Sequence, residues 1–431
     1  MRISQILKIT GAKCLNIEDK NVERFIIDSR QAQKGDFFVP LKGAHVDGHD
    51  FIDDAINKGA YGSFSSKNLT GKNIMLVKDT LKALTQIAKH NKTKIKTKIA
   101  ITGTAGKTTT KEILALLFSN FTDTYYTQGN FNNHIGLPLT LANVNNGYEL
   151  GVFELGASRE GDITYLSEIL KQEIGIITNV GYGHTEGFGT LKAVIKEKGN
   201  ILQNTHLAVV KDDLKQFYNH KNLKTFGYDD ADIIIKSTYL TEGGTVGILK
   251  YKNKLYEVFV PVFNEKIIEN IAISYILFDE FGFPIEKIHE IITSYQPLQG
   301  RGNIIKHKNL IIIDETYNAN PLSVKNAIST LSKLNGKKIL VLGDMKELGK
   351  YSEIKHREIG EYILNSPIDT VYLYGEEVKY IYQTLKNKKE VYILSQKEIA
   401  AKIKKEKNPA YVLIKGSRSL KMENIIKLIV Q

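Results

Sequence analysis

"ITGTAGKTTTKE", residues 101–112, is the stretch on which the fold turns. Glycines, a lysine and threonines follow one another in the order of a phosphate-binding loop. The common form of that loop has four residues between its first glycine and the Gly-Lys pair. Here Gly103 and Gly106 enclose only Thr104 and Ala105. The flanks still favour a nucleotide site. "KIAIT" (98–102) is a short β-branched apolar run and predicts a buried strand. "GKTTTKEILALLFSN" predicts a helix with Ile113, Leu116 and Leu117 on one face. A strand running through glycines into a helix aims backbone N–H groups and the positive dipole end at one point, where an anion can sit. Lys107 would add a point charge at the β/γ-phosphates and Thr108 a hydroxyl for Mg²⁺. The bland reading is an ordinary β-to-α turn with a solvated Lys107.

The surrounding chain sets limits. Its 431 residues are enough for two or three domains. No apolar run approaches the ~18 residues of a membrane span, and "MRISQILKITGAKC" lacks the apolar core of a signal peptide. One cysteine, Cys14, excludes an internal disulfide framework and fits a reducing cytoplasm. The formal charge of +12 raises the question of nucleic acid. The lysines are spread along the chain without aromatic interleaving, so no nucleic-acid partner is expected. A polyanionic small substrate explains the charge equally well.

Outward from the loop, strand and helix patterns alternate. "YELGVFEL", "EIGIITNV" and the helices between them predict a doubly wound parallel sheet over 96–297, with an antiparallel flank from Leu223 to Pro261. Residues 1–95 predict a smaller α/β domain. After the linker "YQPLQGRGN", residues 298–431 return to strict alternation ("LIIIDE", "KILVLGD", "TVYLYG", "EVYIL", "YVLIKG") and predict a Rossmann-like domain. The fold class is therefore α/β in three domains.

Polar constellations sit at the predicted strand ends, where open α/β sheets bind ligands. In "GNFNNHIGLPLTL", Asn132 and Asn133 hold either substrate groups or a turn. Glu154 ends a strand expected beside the loop strand, and is either a Mg²⁺ ligand or a rim carboxylate. Asn179 and His184 end the next strand; the histidine is a metal ligand or a surface residue. Lys198 ends the following helix, solvated in the bland reading, altered in charge if it faces a metal. Asp314, in "DETYNANP", is placed for a ribose hydroxyl, with Asn318 and Asn320 as helix caps or ligand groups. Arg418, after "LIKGS", suits a carboxylate or the rim.

Taken together, "TGTAGKTTTKE", "GNFNNHIGLPLTL", "ELGASREGDI", "ITNVGYGHTEGFG", "DETYNANPLSV", "VLGDMKELG", "SEIKHREIG" and "IKGSRSLKME" resemble the Mur ligases, whose phosphate loop has this shortened form. "DSRQAQKGDFFVPLKGAHVDGHDF" resembles their N-terminal substrate domain. The resemblance covers almost the whole chain. It implies ATP-dependent amide-bond formation in peptidoglycan precursor synthesis, with UDP-N-acetylmuramoyl-tripeptide as the acid and D-alanyl-D-alanine as the amine. It implies that Gly103 through Thr109, including Thr104, Ala105, Gly106 and Thr109, cradle ATP, that Thr108 and Glu154 hold one Mg²⁺, and that His184 and a carbamylated Lys198 hold a second. Lys107, Lys198 and His184 would be catalytic. Asn270 and Asn318 would lie near the adenine, Arg301 and Asp314 would reach ATP, and Ser29, Arg30, His49 and Asp50 would bind the uridine-nucleotide end. Asn132, Asn133 and Arg418 would complete the substrate contacts. A cytoplasmic monomer is expected. Two positions depart from the family pattern: Lys266 stands where a histidine usually lies near the adenine, and Asn200 where a glutamate is common.

Overall fold

A computed structural model describes residues 1–15, 17–43, 45–67, 73–183 and 185–431. The chain is mixed α/β with three sheets. It divides into two compact units, one of residues 1–100, 122–156 and 161–174, the other of 101–121, 157–160 and 175–431.

The first sheet has five short strands: β1 (Lys13–Leu15), β2 (Arg24–Ile26), β3 (Asp36–Phe38), β4 (Gly62–Ser65) and β5 (Ile74–Leu76). Their order is β1-β5-β4-β3-β2, antiparallel only at β1–β5. Phe37, Phe64 and Met75 are buried against Ile6 and Leu84 from the helices Ile3–Thr10 and Thr80–Asn91. The second helix starts where the Asp79 carboxylate accepts the Lys82 N–H. At its last residue and just beyond, Asn91, Lys92 and Lys94 dock on carbonyls at or near the ends of two other helices. Asn91 Nδ2 donates to Ala142 O at 2.6 Å, Lys92 Nζ to Ile169 O at 2.6 Å and Lys94 Nζ to Val144 O at 2.9 Å. Such carbonyls lack partners in their own helix, and ammonium groups satisfy them.

The second sheet has nine strands: β6 (Ile95–Thr102), β7 (Thr124–Tyr126), β8 (Tyr148–Glu154), β9 (Ile174–Ile177), β10 (Leu207–Lys211), β11 (Leu223–Gly227), β12 (Ile233–Leu240), β13 (Thr245–Tyr251) and β14 (Lys254–Val260). Their order is β14-β13-β12-β11-β10-β9-β6-β8-β7. The flank expected to be antiparallel is so for β12–β14, whereas β11 runs parallel to both its neighbours. Two short strands, β7 and β10, and the helix Gly136–Ala142 inside the amide-rich motif go beyond what periodicity predicts.

The third sheet has β15 (Asn303–His307), β16 (Leu310–Glu315), β17 (Lys337–Gly343), β18 (Thr370–Tyr374), β19 (Glu390–Ile393) and β20 (Ala410–Lys415), in the order β15-β16-β20-β17-β18-β19. Only β15 is antiparallel. Both faces carry apolar clusters, around Leu342, Ile359 and Leu373 on one side and Val341, Ile403 and Ile425 on the other, as a parallel sheet covered by helices requires.

Candidate active site

The residues after β6 form the expected loop, and the helix begins at Lys107 and runs to Phe118. Gly106 sits at φ +83°, a conformation that other residues adopt only with strain. At Gly103 a Cβ would come 2.0 Å from Thr178 Oγ1, so only glycine fits. The N-cap residue, Gly106, makes no side-chain cap bond, and the positive end of the helix dipole faces the loop.

The loop is held from the strand end beside it. Asn179 grips the Ala105 peptide twice: its Oδ1 accepts the Ala105 N–H at 2.9 Å, and its Nδ2 donates to Ala105 O at 2.9 Å. Thr178 Oγ1 donates to the same carbonyl at 2.6 Å. Thr104 Oγ1 accepts the Gly181 N–H at 2.9 Å. Asn270 Oδ1 accepts the hydroxyl of Thr110, in the first turn of the helix that follows the loop, at 3.1 Å. Lys107 Nζ donates to Gly103 O at 2.8 Å. Lys198, on the helix Leu191–Gly199, donates to that same carbonyl at 3.1 Å. Its side chain is buried, not solvated. Burial, then the nearby Lys107 ammonium, push the Lys198 amine down to about 7, against the pull of Glu197.

Glu154 ends β8 and is 2% exposed, with its Oε1 accepting Asn132 Nδ2 at 2.6 Å. Asn133 turns the chain into the helix Gly136–Ala142, its Oδ1 accepting the N–H groups of Ile135 and Gly136. His184 lies outside the described residues. Among the described residues no group of three or more His, Cys, Asp or Glu gathers. Glu154 is a buried carboxylate, an oxygen donor of the kind that suits Mg²⁺, which takes few protein ligands and completes its shell with phosphate and water.

At the carboxyl ends of β16 and β20 a second cluster forms. Asp314 is buried, and burial pushes its carboxyl up. It accepts the Gly300 N–H at 3.1 Å, the Thr316 N–H at 3.1 Å and the Thr316 hydroxyl at 2.6 Å. It thereby shapes the Gly300–Gly302 turn that presents Arg301, whose guanidinium lies 3.7 Å from the Tyr317 ring centre. Arg418 lies 6.0 Å from the same ring and pairs with Glu423 at 3.1 Å. Asn318 Oδ1 accepts the Ala319 N–H, and Asn320 caps the helix Pro321–Ser332 in a capping box, its Nδ2 reaching Thr104 O at 3.4 Å. Lys415 went unnoticed in the sequence: it is buried, with Glu315 and Asn318 O both at 3.0 Å. The signal was a lysine inside the apolar strand "YVLIK".

The candidates of the first sheet are engaged locally. Arg30 forms a two-point pair with Asp28. His49 is buried, with Nδ1 2.7 Å from Asp47 Oδ1 and Nε2 accepting the Ser66 N–H at 3.0 Å. Asp50 meets Lys67 at 3.4 Å, and Ser29 is buried. Lys266 bonds Tyr228 Oη at 3.1 Å and Glu269 at 2.8 Å.

A shortened phosphate loop on such a sheet, followed by a Rossmann-like sheet, defines an ATP-dependent ligase of the Mur type. The chain belongs to the Mur ligase family: it matches the family's catalytic domain over residues 22–92, its middle domain over 101–278 and its glutamate ligase domain over 300–418. Within the family, it is 33% identical over 427 residues to UDP-N-acetylmuramoyl-tripeptide–D-alanyl-D-alanine ligase of Rickettsia prowazekii, covering 94% of this chain and 95% of that protein. The enzyme of the same name from Escherichia coli is 30% identical, over 99% of this chain and 97% of the other. The crystal structure of MurF ligase from Thermotoga maritima in complex with ADP superposes with a TM-score of 0.85, at 32% identity over 95% of this chain and 97% of that one.

Proposed function

We propose that the chain joins D-alanyl-D-alanine to UDP-N-acetylmuramoyl-tripeptide at the expense of ATP, in peptidoglycan precursor synthesis. The observation that carries this reading is the full-length similarity to enzymes of that name. In this reaction the terminal carboxylate oxygen of the tripeptide attacks the γ-phosphorus and ADP leaves. The dipeptide amine then attacks the acyl carbon, the C–O bond to phosphate breaks, and the amine proton is lost. Phosphoryl transfer of this kind depends on positioned cations and N–H donors rather than on covalent catalysis.

The chain's own residues suit that task. The loop from Gly103 to Thr109 cradles the phosphates, and Lys107 exchanges its bond to Gly103 O for a phosphate oxygen. Thr108 and Glu154 are the residues that would hold Mg²⁺, and the ion would supply neutralisation of phosphate charge. His184 and Lys198, the latter carbamylated, serve a second Mg²⁺. A buried amine with a lowered proton affinity is the form that reacts with CO₂. Arg301 and Asp314 serve ATP, with Asn270 and Asn318 toward its base. Ser29, Arg30, His49 and Asp50 serve the uridine end; Asn132, Asn133 and Arg418 serve the peptide substrates. Segments 1–95, 96–297 and 298–431 act as the UDP-substrate-binding, ATP-binding and C-terminal Rossmann-like domains. No helix among the described residues is long and apolar enough to cross a membrane, and a monomer in the cytoplasm, where UDP-linked substrates and ATP occur together, is the proposed working form.

The test is phosphate release from ATP with UDP-N-acetylmuramoyl-tripeptide, carrying lysine or diaminopimelate, with and without D-alanyl-D-alanine. Release that requires tripeptide and dipeptide together is expected. Release driven instead by glutamate and a folate would overturn the reading.

A further inference from the structure

Lys415 has no part in the reaction as described, yet it is deeply buried. It is the last residue of β20, a strand flanked by β16 and β17, and its side chain is 4% exposed. The residues before it, Val412, Leu413 and Ile414, are apolar and buried. An ammonium in such a place carries a desolvation cost that an apolar residue would not. Two acceptors hold it. Glu315, in register beside it at the end of β16, accepts from Nζ at 3.0 Å through Oε2. Asn318 O, in the loop beyond, accepts at 3.0 Å. A buried ion pair adds little stability over apolar residues of similar size. What the lysine supplies that an apolar side chain could not is the bond to the loop.

The neighbouring loops at this edge of the sheet are pinned by other groups. Asp344, just after β17, holds the turn after β18 by accepting the N–H groups of Glu376, Glu377 and Val378 at 3.1, 2.9 and 2.9 Å. The loop after β20 is tied to the same place. The Ser417 N–H donates to Asp344 O at 3.1 Å, and Ser417 Oγ accepts the Lys346 N–H at 2.8 Å. In the loop after β16, Asp314 fixes Gly300 and Thr316, and the Tyr317 N–H donates to Gly300 O at 3.1 Å. The approach there is close, since a Cβ on Gly300 would come 2.9 Å from Tyr317 N. The next residue is Asn318, whose carbonyl Lys415 holds. Tyr317 is thus fixed by Gly300 through its own N–H and by Lys415 one peptide further on. Its ring is the surface on which the Arg301 guanidinium lies, 3.7 Å from the ring centre.

We propose that Lys415 is a positioning residue for the nucleotide. By holding Asn318 O it fixes the step from Tyr317 to Asn318, and so the ring against which Arg301 is laid. Glu315 keeps the ammonium beside that carbonyl. The link to the nucleotide rests on the proposed roles of Arg301 and Asn318 toward ATP; the hold of Lys415 on the loop does not. The role differs from general stability, which a well-packed apolar pair in place of the two charges would restore, whereas the bond to Asn318 O would stay lost.

The test is the double variant Glu315→Leu/Lys415→Met in the full chain, with Lys415→Met alone beside it. Lys415→Met leaves Glu315 without its cation and should lower the urea midpoint. The double variant removes both charges and should unfold close to the parent. Its affinity for a non-hydrolysable ATP analogue with Mg²⁺, read by titration calorimetry, should still fall about tenfold, through the lost hydrogen bond and a misplaced Arg301. Amide hydrogen exchange at Tyr317 should rise about fivefold, with β17 unchanged. In an Arg301→Ala background the same two substitutions should cost less than about threefold, because the side chain they misplace is already gone. Unchanged exchange at Tyr317 in the double variant overturns the hold on the loop. Raised exchange at parent affinity overturns the link to the nucleotide. A double variant as unstable as Lys415→Met overturns the proposal too, because the pair would then hold the sheet rather than the loop. A full tenfold loss in the Arg301→Ala background overturns the route through Arg301. A parent chain that does not bind the analogue would count against the proposed ligase, while exchange at Tyr317 still decides whether Lys415 holds the loop.

Discussion

Asn179 offers a graded test of the phosphate loop. Its amide makes two hydrogen bonds with the Ala105 peptide, one as acceptor and one as donor, both at 2.9 Å. Asn179→Ala removes both, and each is worth about 1 kcal/mol net. Thr178 still bonds Ala105 O, so part of the loop geometry survives. ATP affinity should fall by about tenfold to thirtyfold. Asn179→Asp is nearly the same shape and should be worse. It keeps the acceptor for the Ala105 N–H but sets a carboxylate oxygen against Ala105 O where a donor stood. It also brings a negative charge toward the phosphates, which costs on the order of 2–4 kcal/mol at a few ångströms and an effective dielectric near 20. The Asp variant should therefore bind ATP about 10²- to 10³-fold more weakly than the parent, and more weakly than the Ala variant. Titration calorimetry with ATP and Mg²⁺ reads both numbers, and circular dichroism checks the fold. An Asp variant that binds as tightly as the Ala variant would refute the reasoning, since the lone donor bond and the added charge would then count for nothing.

Lys107→Ala should cut kcat by more than about a hundredfold, on the order of 3 kcal/mol of barrier, with melting shifted little; near-normal kcat in the folded variant would remove the lysine from the phosphates. Lys198→Ala should lose most turnover and recover part of it when a short carboxylic acid is added, whereas Lys198→Arg should stay inactive. A fully active Arg variant would rule out the carbamate. Asp344→Asn replaces an acceptor of three amides with a group that is half donor, and should destabilise the chain by about 2–4 kcal/mol in urea unfolding. A loss below about 0.5 kcal/mol would mean that those bonds do not brace the turn.

The strand–loop–helix unit was legible because its signals are local. An apolar β-branched run, two glycines and an amphipathic stretch lie within 98–120, and each agrees with the next. The third sheet was legible for the same reason. The helix Gly136–Ala142 was hidden by Pro138, which reads as a breaker but falls in the first turn, where a missing N–H costs nothing. The direction of β11 was hidden because one strand's pattern does not reveal its neighbour's direction. Asn179 was visible as a strand-end amide, but its grip on Ala105 pairs residues 74 apart in sequence, and such a pairing has no local trace. The same holds for Lys415, whose partners Glu315 and Asn318 lie 100 and 97 residues away.

The lysines after the helix Thr80–Asn91 bear on how a basic chain is to be counted. The ammonium groups of Lys92 and Lys94 are spent on carbonyls within their own unit, and Lys98 is shared between Glu173 and Ile95 O. Charges held this way do not gather mobile counterions as exposed ones do, so they add little to ionic-strength-dependent attraction for polyanions. A formal charge of +12 therefore overstates the pull this surface exerts at a distance. Acetylation along 89–98 would act less by changing net charge than by uncapping the carbonyls of Ile169 and Val144, and would be felt as a loosening of the segments that end there.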